Sequence, residues 1–587
     1  MALFPQDEYL KWLKDGVELS RSFFEHISHA LNPMRPWMRR YDGTKFRADT
    51  IAGLTVAGVL IPQSMAQALL VGVPPVYGLY GVLVGSSIAA LWGSSPLVIT
   101  APVAVISLLT LTSLVPLATP NTPEYIALAV ILALMVGLLQ FLAGGFRLGF
   151  LARLIPSSVL IGFTVAAGII IAAMQVPTLL GFSVHQDPLM YATLEQIVAN
   201  IFSLHPLTAL IGVAALILMI VARRTMPGIP MGLIILGASI PLSMALGIES
   251  FGVHTIGAVP AGLPAFFLPE LTLSGALSLF GSALTIAVIG FMSTYGIGTS
   301  LARTNGGHLS ANQELIGQGS ANIATSIAGG FPVAGSFSAS AANVVAGGRT
   351  PMVSIVLSVA TLLTLTFFTK FLSYLPSAIL AAVVIGSVIQ LVKFGEFSKA
   401  FYISRTDGFI AGMTFVVALI VKPDTAVIFG IVVSLILFIN RIMWARVDEL
   451  CIDTERNIFQ PCTADTDAVR LHGVLIARPN MSLVYANAEH IIEQIHWLLR
   501  TRERTGERIE HVVLSFASVN YIDLTGAEAF VDFLNDMRRR HITVHAITLK
   551  SHEKTVLEHA CRDCEMPSIF ASIVEMRKAL ASSVQTK

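Results

Sequence analysis

Charge is what this sequence has least of. Only 12% of its 587 residues are Asp, Glu, Lys or Arg, against about 25% in an average soluble domain, and its mean hydropathy is +0.74. So few charges cannot cover a water-soluble globule of this size. An excess of one sign is also missing: 37 basic against 36 acidic residues leave a net charge of +1, which excludes a strong field for gathering nucleic acid. Cysteine is scarce. The four present, Cys451, Cys462, Cys561 and Cys564, all lie in the last quarter of the chain, which argues against a secreted disulfide scaffold and suits free or buried thiols in a reducing cytosol. Cys561-Arg-Asp-Cys564 has the spacing of a metal knuckle, but no second close pair completes four ligands, so no metal and no cofactor is expected.

What is present is apolar sequence. Between Asp49 and Arg147 the single charged residue is Glu124, a pattern that suits lipid-crossing helices of about 20 mostly apolar residues each. Such runs continue to Phe438, and counting them gives about 14 spans, several of them short or interrupted by Gly and Pro. Basic residues recur in the short loops, among them Arg147, Arg223, Arg303, Arg349 and Arg441. The positive-inside rule then puts both termini in the cytoplasm. Residues 1–46 are expected as a cytoplasmic amphipathic segment, 47–443 as the membrane region, 444–465 as a linker and 466–587 as a soluble domain. Within that last part, 469–477, 511–517 and 542–548 read as buried strands, and 488–500, 526–540 and 553–562 as helices. A small cytoplasmic α/β domain is implied. No nucleophile–base or metal-ligand set recurs in the spans, so an enzyme is not expected.

Three interrupted stretches stand out in the membrane region. Ile61-Pro-Gln-Ser-Met-Ala66 puts Pro62 inside a span, freeing a carbonyl beside Gln63 and Ser64. Ser94-Ser-Pro-Leu-Val-Ile-Thr-Ala-Pro-Val-Ala104 reads as an extended segment through Thr100 and then a helix with Pro102 in its first turn. Gly329-Gly-Phe-Pro-Val-Ala-Gly-Ser-Phe-Ser-Ala-Ser-Ala-Ala-Asn343 reads the same way, with a cap near Gly335 or Ser336. Two helix N-termini facing each other inside a membrane form an anion site without any basic side chain. The plainer reading is a proline kink and close helix packing through small residues. Arg303, Glu314 and Arg349 read as loop or interface charges, with a gating role as the alternative.

With Ala311-Asn-Gln-Glu-Leu315, Gly347-Gly-Arg-Thr-Pro351 and the appended α/β domain, these strings resemble the SulP family of anion transporters carrying a C-terminal STAS domain. The resemblance runs in order from Arg47 to the last helix. It implies a polytopic all-α membrane domain with a seven-plus-seven inverted repeat, organised as core and gate domains, and a homodimer in the inner membrane. It also implies substrate-binding residues: Gln63 on span one; Thr100, Ala101 and Val103 at span three; Ser336, Phe337 and Ser338 at span ten. Proton-coupled relatives carry a glutamate in the eighth span, where Gly290-Phe-Met-Ser-Thr294 places Ser293. Many relatives carry an arginine after the second serine of the tenth-span motif, where this chain has Ala339. Losing both leaves the summed charge unaltered and the site neutral, because an unpartnered charge at membrane depth is costly.

In the soluble domain, Asp523-Leu-Thr-Gly526 resembles the STAS signature, making Thr525 the regulatory candidate. The competing structural reading is a capping box, Thr525-Gly-Ala-Glu528, with the Thr525 hydroxyl as the cap. The implied function is secondary transport of small anions by elevator-type alternating access. Sulfate is named first, and bicarbonate, another monovalent anion or a dicarboxylate are the alternatives within the class. A membrane signalling platform acting through a partner of the STAS domain is the alternative from another class.

Overall fold

Helix α1 (Gly43–Val71) continues unbroken past Pro62. Asp42 starts it by accepting the Lys45 N–H at 2.9 Å, and Gly72, at φ 90°, stops it in the left-handed conformation that glycine adopts without strain. The computed structural model describes residues 36–584 except 40, 151–155, 185–188, 226–230, 258–261, 264–272, 306–308, 390–391, 393, 454–457, 463–468 and 562–564. The amphipathic segment expected at the N-terminus lies outside the described residues up to position 35. Two units follow one another, to Val433 and from Ser434.

In the first unit α1 is followed by α2 (Val76–Trp92), β1 (Ile99–Ala101), α3 (Ala104–Leu114), α4 (Pro123–Gly145), α5 (Ser157–Leu180), α6 (Met190–Asn200), α7 (Pro206–Thr225) and α8 (Met231–Leu246). A second series has the same order: α9 (Leu273–Asn305), α10 (Ala311–Ile327), β2 (Ala334–Ser336), α11 (Phe337–Val345), α12 (Met352–Leu372), α13 (Ser377–Val388), α14 (Phe394–Ile403), α15 (Arg405–Ile420) and α16 (Pro423–Met443). Packing repeats as well. Helix α1 lies on α12 as α9 lies on α4, and α5 lies on α15 as α13 lies on α7. Among the described residues α1, α4, α5, α9, α12 and α16 are long and apolar enough to cross a membrane, while α3 and α13 are among the shorter apolar helices. Leu142, Leu210, Phe280 and Phe367 are exposed on these helices. Lipid accommodates such a surface, and water does not.

The second unit holds a six-stranded sheet in the order β4-β3-β5-β6-β7-β8. Its strands are β3 (Val447–Asp453), β4 (Ile458–Pro461), β5 (Val474–Pro479), β6 (His511–Ser515), β7 (Thr543–Ile547) and β8 (Ser568–Phe570). Helices α17 (Ala488–Arg504), α18 (Leu524–Arg539), α19 (Ser551–Ala560) and α20 (Ile573–Val584) complete it. Alternation along the strands divides the core: Leu475, Val512 and Ala546 pack with Ile491 and Phe530 on one face, and Val474, Val513 and Ile547 pack with Met576 on the other.

Three expectations are corrected in this unit. Residues 444–465, expected as a linker, contain β3 and β4, which pair antiparallel as an edge hairpin. That hairpin brings Cys451 and Cys462 together as a disulfide with Cα atoms 5.1 Å apart, and Cys561 is also disulfide-bonded, so these are not free thiols. A sequence separation of 11 is too long for a metal knuckle, yet a hairpin closes it. Finally, Thr525 is not the cap of α18. Asp523 accepts the Gly526 N–H at 2.8 Å, and Thr525 sits exposed in the first turn. Asp523→Ala is therefore expected to destabilise the domain by about 1 kcal/mol, with Thr525→Ala near neutral, as read from denaturant midpoints of the two variants.

His545 on β7 is buried, with its Nε2 3.2 Å from Nδ1 of His511 on β6. Burial first, and the neighbouring His511 second, push its pKa down to about 4. An unfolded chain takes up this proton near pH 6.5, whereas the folded domain resists it until about pH 4. Stability is undiminished above pH 6.5 and falls as pH drops through that window, by at most about 1.4 kcal/mol per pH unit. Melting temperatures recorded from pH 7.5 to 4.5 are expected to show a slope that His545→Leu flattens.

Candidate functional site

Strands β1 and β2 cross antiparallel, pairing Ile99 with Ser336, Thr100 with Gly335 and Ala101 with Ala334. Each leads into a helix: Val103 is the N-cap of α3, and Ser336 caps α11 by accepting the Ala339 N–H at 3.3 Å. Because the strands are antiparallel, the two helices leave in opposite directions. Their positive N-terminal ends therefore sit at the two ends of one short crossing.

Neighbouring helices hold the crossing through uncharged groups. Gln318 Nε2 donates to Thr100 Oγ1 at 2.7 Å, and the Ser86 hydroxyl donates to the Thr100 carbonyl at 2.5 Å. The Ile99 N–H donates to Ser340 Oγ at 2.9 Å. On the other strand the Gly335 N–H donates to Thr294 Oγ1 at 2.8 Å. A Cβ at Gly335 would lie 2.9 Å from Thr294, so this close approach needs glycine. One residue before β2, Asn322 accepts the Val333 N–H at 2.8 Å and donates to the Val333 carbonyl at 3.1 Å, while its Nδ2 also reaches Gln140 Oε1 at 3.0 Å.

The expected substrate residues fall around this crossing. Gln63, buried on α1, places its Nε2 3.5 Å from Ser338 Oγ, which lies 3.3 Å from Ser336 Oγ. Those three are brought together. Thr100 and Ala101 are buried within the strand pair, Thr100 with its hydroxyl already accepting from Gln318. Val103 is partly exposed, and Phe337 is 52% exposed on the first turn of α11. Ser293 is exposed on α9, and the next residue, Thr294, is the one whose hydroxyl enters the crossing. Sequence reasoning did not single out Thr294, Gln318 or Asn322. Nor did it find Gln67, one turn beyond Gln63 on the same helical stripe, fully buried with neither amide atom hydrogen-bonded.

Two acidic residues are buried beside this region. Glu314, expected as a loop or interface charge, is 2% exposed and accepts from the Ser94 N–H at 2.9 Å, the Ser94 hydroxyl at 2.8 Å and the Ser95 N–H at 3.2 Å. It fixes the segment leading into β1. Asp49, fully buried on α1, accepts from the Arg349 N–H at 2.7 Å, the Thr350 N–H at 3.2 Å and the Thr350 hydroxyl at 2.6 Å, fixing the segment that follows α11. Arg349 thus acts here through its backbone, and its side chain is exposed. The side chain of Arg303 lies outside the described residues.

Residues 46–414 match the sulfate permease family, and residues 465–576 match the STAS domain. This chain belongs to the sulfate permease family. The transporter is 30% identical over 574 residues to Low affinity sulfate transporter 3 of Stylosanthes hamata, covering 91% of this chain and 88% of that one. It is 29% identical over 525 residues to Sulfate transporter 4.1, chloroplastic, of Arabidopsis thaliana, covering 87% and 76%. In fold it is similar to the murine Solute Carrier 26 family member A9 anion transporter in the inward-facing state, with a TM-score of 0.86 at 20% identity over 94% and 95% of the two chains. The transmembrane domain of the cyanobacterium bicarbonate transporter BicA superposes with a TM-score of 0.57 at 22% identity, over 68% of this chain and 98% of that one. Family membership makes the protein a multi-pass membrane transporter of anions and not an enzyme.

Proposed function

We propose that the transporter carries small oxyanions, sulfate first, bound at the β1–β2 crossing by Gln63, Ser338 and the N-terminal ends of α3 and α11. The observation that carries this reading is the crossing itself: two oppositely directed helix starts beside a buried amide and two hydroxyls. Helix ends and neutral donors are sufficient for an anion. Relatives named as sulfate transporters over most of the chain favour sulfate. The small buried Ala339 at the first turn of α11 and the likeness to BicA favour a monovalent anion such as bicarbonate as the second reading.

Alternating access of the elevator type is supported by how the helices divide. Gln63, the crossing and its supports all lie on α1–α4 and α9–α12, whereas α5, α7, α13 and α15 pack on one another. We place the protein in an inner membrane as a homodimer with both termini cytoplasmic. Thr525 is the proposed regulatory position, because a phosphate on an exposed first-turn residue gains from the helix N-terminus. Uptake of radiolabelled sulfate and bicarbonate into proteoliposomes, with and without a pH gradient, tests the assignment. Sulfate uptake without need of a pH gradient is expected, and no uptake of either anion would refute it.

A further inference from the structure

Helix α2 is not α-helical throughout. Its residues Gly81–Gly85 form a single π turn, and the α-helix resumes at Ser86. On a regular α-helix Ser86 would lie about 140° round from Gly81. A turn closed from i to i+5 holds more residues and brings position 86 back toward the side of Gly81. That side faces the crossing. The Ser86 hydroxyl, fully buried, donates to the Thr100 carbonyl of β1 at 2.5 Å. A Cβ at Gly81 would lie 3.0 Å from Pro102 Cγ and 3.1 Å from Val333 Cγ1, touching at once the residue that follows β1 and the residue that precedes β2. One at Gly85 would lie 3.1 Å from Val333 Cγ2 and 3.0 Å from Thr325 Oγ1. Carbon atoms pack at about 3.5–4.0 Å, so a methyl group at either position has to move a neighbour by a few tenths of an ångström.

The neighbours differ in how they give way. Thr325 Oγ1 is buried and has no hydrogen-bond partner among the described residues, so it turns aside with no bond lost. Val333 is held at its N–H and its carbonyl by Asn322, and pressure on its side chain therefore reaches the start of β2. Pro102 is fixed between β1 and the Val103 cap of α3. We propose that the π turn of α2 sets the spacing of the two half-helix starts, with Gly81, Gly85 and Ser86 as positioning residues. The glycines let both arms of the crossing rest against one helix, and Ser86 ties β1 to it. The inference rests on the crossing being the anion site.

Initial-rate sulfate uptake into proteoliposomes, over a range of concentrations, tests this with the full chain. Gly85→Ala and Ser86→Ala are each expected to raise KM about three- to tenfold with little change in maximal rate, because the donors are misplaced and not removed. Ser86→Ala adds no bulk, so it reads the same constraint even where a methyl at position 85 prevents assembly. Val333→Ala takes away the carbon atoms that the new methyl meets. On that background Gly85→Ala is expected to leave KM unchanged, whereas Ser86→Ala raises it as before. A wild-type KM in either single variant overturns the proposal, as does a Gly85→Ala effect that persists undiminished with Val333→Ala or a Ser86→Ala effect that vanishes there. Absence of saturable uptake by the wild-type chain refutes the transport reading itself, and this proposal with it.

Discussion

Tryptophan at position 338 is expected to reduce sulfate uptake to the level of protein-free liposomes while the protein still assembles and melts cooperatively. Ser338 sits in the first turn of α11, with its hydroxyl between Gln63 Nε2 at 3.5 Å and Ser336 Oγ at 3.3 Å. An indole there fills the space that the anion needs and lies over the N–H groups at the start of the helix. The position is only partly buried, so the added volume does not enter a close-packed core, where overpacking costs about 1–3 kcal/mol. Ser338→Ala is the milder counterpart. It removes one neutral donor worth about 0.5–1.5 kcal/mol, which corresponds to about a 3–10-fold rise in KM with little change in maximal rate. Initial-rate uptake over a range of sulfate concentrations separates the two outcomes. Wild-type kinetics in both variants would remove Ser338 from the site.

How far the sequence reaches is shown by Ser336 and Thr294. Ser336 was legible: an interrupted apolar run, a serine at the break and small residues after it give a helix start at membrane depth, and Ser336 does cap α11. Thr294 was not. A threonine in a long apolar helix ordinarily bonds the carbonyl one turn back, as Thr294 does with Gly290 at 2.7 Å. That its oxygen also accepts from Gly335 depends on an approach between α9 and β2 that no local pattern encodes. Glu314 fails for a related reason. Placed near the end of an apolar run, it reads as a loop or interface charge, yet it is buried and satisfied by backbone N–H and hydroxyl donors more than 200 positions away, as is Asp49, to which no role was given. The soluble domain was more legible because strand alternation and helix periodicity are local. Even there the hairpin of β3 and β4 was missed, since the four residues of edge strand β4 bury no side chain and only Leu450, Cys451 and Ile452 of the seven in β3 are buried.

Asn322→Leu is expected to be the most damaging change among the residues that touch no anion. Leucine has the branching and side-chain heavy-atom count of asparagine but supplies no polar atom. It strands the buried Val333 N–H, which Asn322 Oδ1 accepts at 2.8 Å, and Gln140 Oε1, which Asn322 Nδ2 reaches at 3.0 Å. Each orphaned group costs about 1–3 kcal/mol, so a loss of about 2–6 kcal/mol follows, visible as a lower melting temperature. The functional consequence is specific to position. Val333 immediately precedes Ala334 and with it the strand that carries Gly335 and Ser336, so freeing it displaces the start of α11 relative to Gln63. A displacement of about 1 Å in a binding constellation is enough to lower the rate by on the order of tenfold or more. Asn322→Asp distinguishes the two contributions. The carboxylate keeps an acceptor for Val333 but loses the bonds that Nδ2 donates to Val333 and Gln140, and it brings a negative charge close to the anion's crossing. Uptake should therefore fall further in the aspartate variant than its melting temperature alone would predict. If instead the leucine variant melts several degrees lower and transports at the wild-type rate, Asn322 supports the fold without setting the geometry of the crossing.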